Sequence, residues 1–463
     1  MYYDHARDVD LNDITSSSCN SYLLSKLLDG RWDSLSVTTE YDSDTMSYLY
    51  RDGDDLGWLG YFVGIVRTLR TVKIHQLPTR DEESEQIDEL FEGLCRNTSI
   101  MTLCLCTDVG DSNIDLGRVV RNKTILRHLD LQNIDLGTEQ ARRLALGLRE
   151  ISSLRWLTVE NCNLNDDGLS SIAASLKSMA LLETITLNTN TIGTDGSAAL
   201  GNVLNEGSFT CLASLDLSRN NINDDGLKAL VRGMTSINSL RLLNLSGNSA
   251  ITVTGLKLLS AIFRSKQNGL DSLTLSHIGD DGAEALAAGL SGNTKLRHLI
   301  FTNNGITERG WSAFTNLLCD KSSIHNTYYS NHTLMQIGEH YYGRDCGLGW
   351  LGVKCLEWNR SDRSRPRNGN SIASRSNNRG ANKARIKKIL FSHPDLDMVP
   401  LFQYKLKLLP LVLYWLECAA SCIESRSIFS SATIQKVSLE SVSIKRRKLA
   451  AIFNFTRSMP QCL

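Results

Sequence analysis

Cys104 and Cys106 sit two residues apart, and His128 follows further along the chain, so thiols and an imidazole could share one surface. Together they would make a nucleophilic centre, but a cysteine attacks only as thiolate, with a neighbouring base and a depressed pKa. Neither is visible in the local sequence. Both cysteines alternate with apolar residues, which predicts thiols on the outer side of a strand rather than an activated nucleophile. The chain has 12 cysteines, none in a CxxC pair and none alternating with histidine at zinc spacing. It also lacks the GxxxxGK[ST], HExxH, GxSxG and glycine-rich dinucleotide signatures. No cofactor and no metal are therefore expected, and the chain reads as a non-enzyme.

The elements that would position these residues come from a repeat. Leu126-x-x-Leu129-x-Leu131, Leu154-x-x-Leu157-x-Val159, Leu182-x-x-Ile185-x-Leu187, Leu212-x-x-Leu215-x-Leu217, Leu240-x-x-Leu243-x-Leu245 and Leu270-x-x-Leu273-x-Leu275 start 28, 28, 30, 28 and 30 residues apart. In the unit from Leu212, the leucines alternate with polar residues at strand period, Asn220 follows, and Asp224-Asp225-Gly226 leads into Leu227, Leu230 and Met234 at helical spacing. Each unit is thus a strand, a turn and a helix, and buries its apolar face only by stacking on its neighbours. Strands stack about 4.8 Å apart and helices about 8–10 Å, so the array must curve with its parallel strands on the concave side. Further strands are expected at Leu69–Ile74, Ile100–Leu105, Leu296–Phe301 and, in degraded form, Ile324–Tyr329, giving about ten in all.

This pattern, LxxLxLxxN followed by an apolar residue, Asp, Gly and a helix, resembles the ribonuclease-inhibitor class of leucine-rich repeat over roughly residues 65–335. The resemblance implies an α/β horseshoe solenoid with its parallel sheet inside and helices outside. It also implies a turn-asparagine ladder at Asn190, Asn220, Asn248 and Asn304, with Cys162 as substitute. Ile134 and Ile278 take that position in two units, and neither can bond the backbone, so local irregularity is expected, above all near His277. The class contains inhibitors, sensor domains and GTPase-activating proteins, so a GTPase regulator is the alternative function. Ran GTPase-activating proteins carry an acidic tail after the repeats, whereas this chain turns basic there.

Strand alternation gives the expected partner-binding face: His128, Asp130, Trp156, Glu160, Asn188, Asp216, His298 and Tyr328, with smaller hydroxylated residues in the middle. An outward tryptophan is the sort of residue that anchors an interface, or that leans on the next strand. A protein partner follows from the long array. Nucleic acid is not the expected partner, because neither the basic stretch after residue 360 nor Lys445-Arg446-Arg447-Lys448 interleaves aromatic residues.

Formal charge over 463 residues is zero, but residues 1–90 carry 18 acids against 8 bases and residues 360–388 carry 10 bases against one acid. Such poles can steer a polar partner. Residues 1–64 read as an N-terminal cap region and 65–335 as the solenoid. Residues 336–383 read as a linker holding a disordered basic loop, and 384–463 as a helical C-terminal cap. The apolar stretch Leu406–Ile423 contains Lys407, Pro410 and Glu417, too short and charged for a bilayer span of roughly 20 residues. The polar, acidic N-terminus and the unpaired cysteines suggest a cytoplasmic protein, with the Lys445–Lys448 cluster leaving a nuclear location open. The sequons at Asn97, Asn122, Asn244, Asn331, Asn359 and Asn454 then read as chance matches.

Overall fold

The structure is a computed structural model that describes residues 14–15, 17–39, 47–49, 53–75, 84–106, 114–206, 209–265, 267–302, 304–338, 348–360, 388 and 392. The chain divides into two units, Met1–His393 and Pro394–Leu463, and every described residue lies in the first. The expected C-terminal cap therefore falls almost wholly outside the described residues, as does most of the basic loop.

One parallel sheet runs through the first unit. Its strands are β1 (Ser34–Thr38), β2 (Tyr48–Leu49), β3 (Thr71–Ile74), β4 (Thr102–Cys106), β5 (His128–Gln132), β6 (Trp156–Glu160), β7 (Thr184–Thr186), β8 (Ser214–Asp216), β9 (Leu242–Asn244), β10 (Ser272–Ser276), β11 (His298–Thr302) and β12 (Gln336–Ile337). The order β12 to β3 follows the chain in reverse, and β1 then pairs β3 with β2 outside it. The helices are α1 (Ser18–Leu28), α2 (Gly53–Ile65), α3 (Ser84–Arg96), α4 (Leu116–Val120), α5 (Gly137–Leu148), α6 (Asp166–Leu176), α7 (Thr194–Glu206), α8 (Asp224–Met234), α9 (Val253–Leu258), α10 (Ser260–Arg264), α11 (Gly279–Gly289), α12 (Glu308–Leu318), α13 (Ile324–Tyr329) and α14 (Gly349–Arg360). Strand and helix alternate, and this unit is an α/β solenoid with the sheet lining its concave side.

Register explains the core. Leu129 pairs Leu157, which pairs Ile185, Leu215, Leu243, Leu273 and Leu299 in turn. All are buried, and so are the helix residues that face them, including Leu144, Ile172, Leu200 and Leu230. One continuous seam results, in which each leucine is shared between adjoining units. Close helix packing is set by glycines. Gly60 of α2 meets Gly93 of α3, Gly117 of α4 meets Gly147 of α5, and Gly201 of α7 meets Gly233 of α8, each with backbone against backbone.

The turns leave the sheet through a left-handed residue in each of six successive units: Asn133, Asn161, Thr189, Arg219, Gly247 and His277, with φ between 50° and 77°. Three of these are neither glycine nor asparagine, so composition does not mark them. His277 has the same conformation as its counterparts and is not itself irregular. The irregularity in the two isoleucine units appears one step later. Helices α5 and α11 follow the N-cap residues Leu136 and Ile278, whose side chains make no cap hydrogen bond, whereas Asn165, Asn223, Thr252 and Thr307 cap α6, α8, α9 and α12.

The array extends past both expected ends. Trp32-x-x-Leu35-x-Val37 supplies β1, in register with Val72 and Ile74 of β3, so the sheet starts inside the expected cap region. At the other end Ile324–Tyr329 is not a strand but the helix α13. Ser323 caps it by accepting from the Asn326 amide, and the buried Thr327 hydroxyl donates to the carbonyls of Asp320 and Ser323. The strand position falls instead to Leu334-Met335-Gln336-Ile337, ten residues late, where Gln336 and Ile337 pair His298 and Leu299. Helix α14, within the expected linker, packs against α12.

Candidate binding surface on the concave sheet

Alternation places three rows of side chains along the concave face. The first runs Thr102, His128, Trp156, Thr184, Ser214, Leu242, Ser272 and His298, and the second Lys73, Cys104, Asp130, Thr158, Thr186, Asp216, Asn244, Thr274 and Ile300. In the third, Cys106, Gln132 and Glu160 pair in sequence. Most are half-buried, because neighbouring strands stand too close to leave any of them free. Leu242, at 48% exposure between two serines, is the largest apolar protrusion on this face.

The expected residues do not form one constellation but a chain of local pairs. His128 and Trp156 sit opposite each other, ring centroids 4.0 Å apart at 48°, so Trp156 does lean on its neighbour. Burial and then the Arg127 charge push the His128 pKa down, which keeps the ring neutral at pH 7. Gln132 donates to both carboxylate oxygens of Asp130 at 3.0 and 3.1 Å, and Asn188 donates to Glu160 at 2.8 Å. Asp216 accepts from the Ser218 amide and hydroxyl and from Asn244 across the strand. His298 lies 3.6 Å from Asp271, a residue before the strand that also holds Arg297. Burial pushes the Asp271 carboxyl up, but hydrogen bonds from His298 and Arg297 outweigh it and leave it below the usual range. Tyr328 lies in α13, so it is not part of this sheet. Its expected place on the concave face followed from reading Ile324–Tyr329, which is a helix, as a strand.

Asp130 behaves differently. Burial raises its pKa, the Gln132 hydrogen bond opposes that, and the nearby Glu160 charge adds to it. Cys104 faces Asp130, not His128, across the sheet. Burial and the Asp130 charge push the Cys104 thiol up to about 11, and Cys106 rises for the same reasons. A thiol beside a carboxylate stays protonated, the opposite of an activated nucleophile. Among the described residues no group of three His, Cys, Asp or Glu side chains is placed to hold a metal.

Behind the face lies the turn ladder. Asn190 Nδ2 donates to the carbonyls of Val159, Leu187 and Asn188, while its Oδ1 accepts from the amides of Cys162 and Leu164. Asn220 and Asn248 repeat this one and two units on, accepting from Ile192 and Ile222. Asn304 accepts from the Ile278 amide at 3.4 Å. Cys162 joins through weaker contacts, its Sγ donating to Glu160 and Leu131 carbonyls at 3.1 and 3.4 Å. Burial pushes its thiol up to about 12. Native protein treated with iodoacetamide at pH 8 should therefore label the exposed Cys19 and leave Cys162 unmodified until denaturant is added, as peptide mass spectrometry would show. Native-state labelling of Cys162 at the rate of Cys19 would contradict this placement.

Two further ladders were missed in the sequence. At the helix-to-strand corners Asn97, Asn268, Asn293 and Asn331 are buried, and each donates to carbonyls at the preceding corner. Lys123 fills the same role, its Nζ bonded to the carbonyls of Leu94 and Asn97, and burial pulls its pKa down to about 8. The signal was present as Asn-x-x-Leu or Asn-x-x-Ile at Asn97, Asn293 and Asn331 and as Asn-x-Leu at Asn268, but at Asn97 and Asn331 it coincided with a sequon. The third ladder uses the first helical aspartates. Asp166, Asp224 and Asp280 accept from the amides of Gly193, Thr252 and Thr307 in the next unit.

Comparison with known proteins agrees on the repeat. A family model described as Leucine Rich repeat matches residues 210–231, 236–260, 272–287 and 292–314. Among solved structures, an internalin from Listeria monocytogenes is 18% identical over 66% of this chain and 94% of its own, with a TM-score of 0.33. A chain of the yeast Rad7 and Elc1 complex gives 15% identity over 56% of this chain and 62% of its own, with a TM-score of 0.37. A search of curated proteins returns no match. With strand register, buried leucines and turn asparagines all recurring in step, the described solenoid contains leucine-rich repeats.

Proposed function

We propose that this chain is a non-enzymatic scaffold of the ribonuclease-inhibitor-like kind, which holds a protein partner across its concave sheet in the cytoplasm or nucleus. The observation that carries this reading is the continuous face of in-register side chains from β3 to β11, on which Asp130 stands. An ionised carboxylate held half-buried opposite the Cys104 thiol and near the Glu160 charge costs folding energy, and its hydrogen bond from Gln132 opposes that cost. The sign follows from the raised folded pKa. The contribution of Asp130 to stability is greatest below the unfolded carboxyl pKa and declines as pH rises through the folded value. A residue that disfavours the fold at neutral pH is accounted for if it serves the face it stands on.

Asp130→Asn is accordingly expected to raise the urea midpoint at pH 7 and to weaken partner binding. Trp156→Ala should leave the midpoint within a small margin and reduce partner recovery about tenfold, the loss expected of an interface anchor. The measurement is affinity capture from the native cell with the wild-type chain and both variants, followed by titration of the recovered protein. Equal recovery by all three would remove the concave face from the binding site. Among the described residues no helix is long and apolar enough to cross a membrane.

A further inference from the structure

The Asn304 rung is held more weakly than the rest of the turn ladder, and a glycine follows it. Asn190, Asn220 and Asn248 each donate from Nδ2 to at least two backbone carbonyls. Asn304 Nδ2 makes no such bond among the described residues, and Oδ1 meets the Ile278 amide at 3.4 Å. That is longer than the usual N–H···O range of about 2.7–3.2 Å.

The amide after the rung differs as well. Thr191 and Asn221, which follow Asn190 and Asn220, donate to the carbonyls of Leu164 and Ile192 in the preceding unit. The matching acceptor for Gly305 is the Ile278 carbonyl, since the Ile278 amide meets Asn304 as that of Ile192 meets Asn220. That carbonyl already accepts from the Gly282 amide in α11, and the Gly305 N–H has no backbone partner among the described residues. The cause lies in the sequence. Asp280 follows Leu275 by five residues, where Asp224 follows Leu217 by seven. The short turn makes Ile278 itself the N-cap of α11, so its carbonyl opens the helix and is lost to the next unit.

We infer that Asn304 is a site of spontaneous deamidation, in which the Gly305 nitrogen displaces ammonia from the Asn304 side chain. The Gly305 nitrogen attacks Asn304 Cγ and a C–N bond forms. The Cγ–Nδ2 bond breaks, and ammonia leaves with the proton that the Gly305 nitrogen gives up. Water then opens the cyclic imide, at Cγ to give aspartate at position 304, or at the main-chain carbonyl to give isoaspartate. No electron changes hands, and water is the only co-reactant. Gly305 has φ of 56° with nothing within 4 Å of an added Cβ, so no side chain obstructs the approach. Asn304 is half-buried and Gly305 exposed, so water has access to the pair.

Asn268-Gly269 carries the same dipeptide under the opposite conditions. Asn268 is 2% exposed, its Nδ2 donates to the Met234 carbonyl at 3.0 Å, and its Oδ1 accepts from the Leu270 amide at 2.8 Å. Gly269 packs against the Arg241 guanidinium. A side chain pinned at both ends reacts after local opening, a cost that Asn304 does not carry. Either product at Asn304 puts a carboxylate on the rung. Isoaspartate also adds a methylene to the backbone where the Asn304 carbonyl accepts from the Gly279 amide. Deamidation therefore loosens the joint between the β10 and β11 units, at the His298 end of the concave face.

The test incubates the full chain at pH 8, native and in urea, and follows its tryptic peptides by mass spectrometry. Conversion adds about 1 Da and splits the peptide into two isomers. In native protein Asn304 should convert at least about tenfold faster than Asn268, which an opening cost of about 1.4 kcal/mol at Asn268 supplies. In urea the two should convert at similar rates. The Ile278 and Gly279 amides of the converted protein should exchange hydrogen faster than before. Equal rates in the native protein, or an Asn304 that keeps its amide while the urea sample converts, would overturn the inference. So would a difference of the same size in urea, because local sequence and not the short unit would then be its cause.

Discussion

Replacing Asn190 by alanine is expected to lower stability by about 3 kcal/mol, the upper part of the range for leaving buried backbone groups unpaired. The side chain makes five hydrogen bonds, and four of its partners belong to backbone where the chain leaves the sheet. Three of the five reach back to the preceding unit, at Val159, Cys162 and Leu164. The damage therefore falls on the joint between units, not within one. Asn190→Asp should be no milder, because it keeps the acceptors, removes the donors and places a carboxylate against carbonyl oxygens. Asn188→Ala is the control. Two residues away, it loses one half-buried bond to Glu160 and should cost about 0.5 kcal/mol. Repeat arrays need not unfold in a single step, so urea melts should be paired with hydrogen exchange at the Cys162 and Leu164 amides. Exchange of those two amides unchanged in Asn190→Ala would show that the ladder does not couple the units.

The contrast between Asn190 and Asn97 shows how far the sequence could be read. Both are buried asparagines that pair backbone across a unit boundary, yet only the first lies within the leucine repeat, where its spacing gives it away. Asn97 stands at a corner, and its spacing to Ile100 carries no period of its own because Ile151, Met179, Phe209 and Ile237 occupy the matching corners of the central units. The leucine seam was legible because every unit must repeat it to stay buried. β12 was not, since ten extra residues between Leu318 and Leu334 shift it out of step and leave Ile324–Tyr329 as a false match. The left-handed residues Thr189, Arg219 and His277 were illegible for a different reason. Their conformation is imposed by the turn around them, and their own side chains do not favour it. On the concave face alternation named the right side of each strand, but it could not show that His128 would stack on Trp156 while Asp130 faced Cys104.

Gly93→Ala tests the outer layer with an opposite expectation from propensity. On an exposed helix the change would add about 1 kcal/mol of stability, because alanine restricts the unfolded chain and favours the helix. Here the new methyl would overlap the carbonyl oxygen, carbonyl carbon and Cα of Gly60 in the neighbouring helix. Those are backbone atoms and cannot swing away, so α2 and α3 must separate, and the expected net loss is about 3 kcal/mol. The helices have reason to be this close. Strands in a parallel sheet advance less per unit than packed helices do, and a glycine pair reduces that mismatch where it occurs. Forcing α2 from α3 should therefore also disturb β3, which lies between them in the chain and joins the N-terminal strands to the rest of the sheet. Gly292→Ala separates the space argument from the backbone one. Gly292 has φ of 75° with nothing within 4 Å of an added methyl, so only the left-handed conformation is penalised, by about 1 kcal/mol. Thermal melts of the two variants beside wild type are sufficient. A Gly93→Ala protein as stable as wild type, or more stable, would mean that the close approach of these helices is not what holds the N-terminal end of the array together.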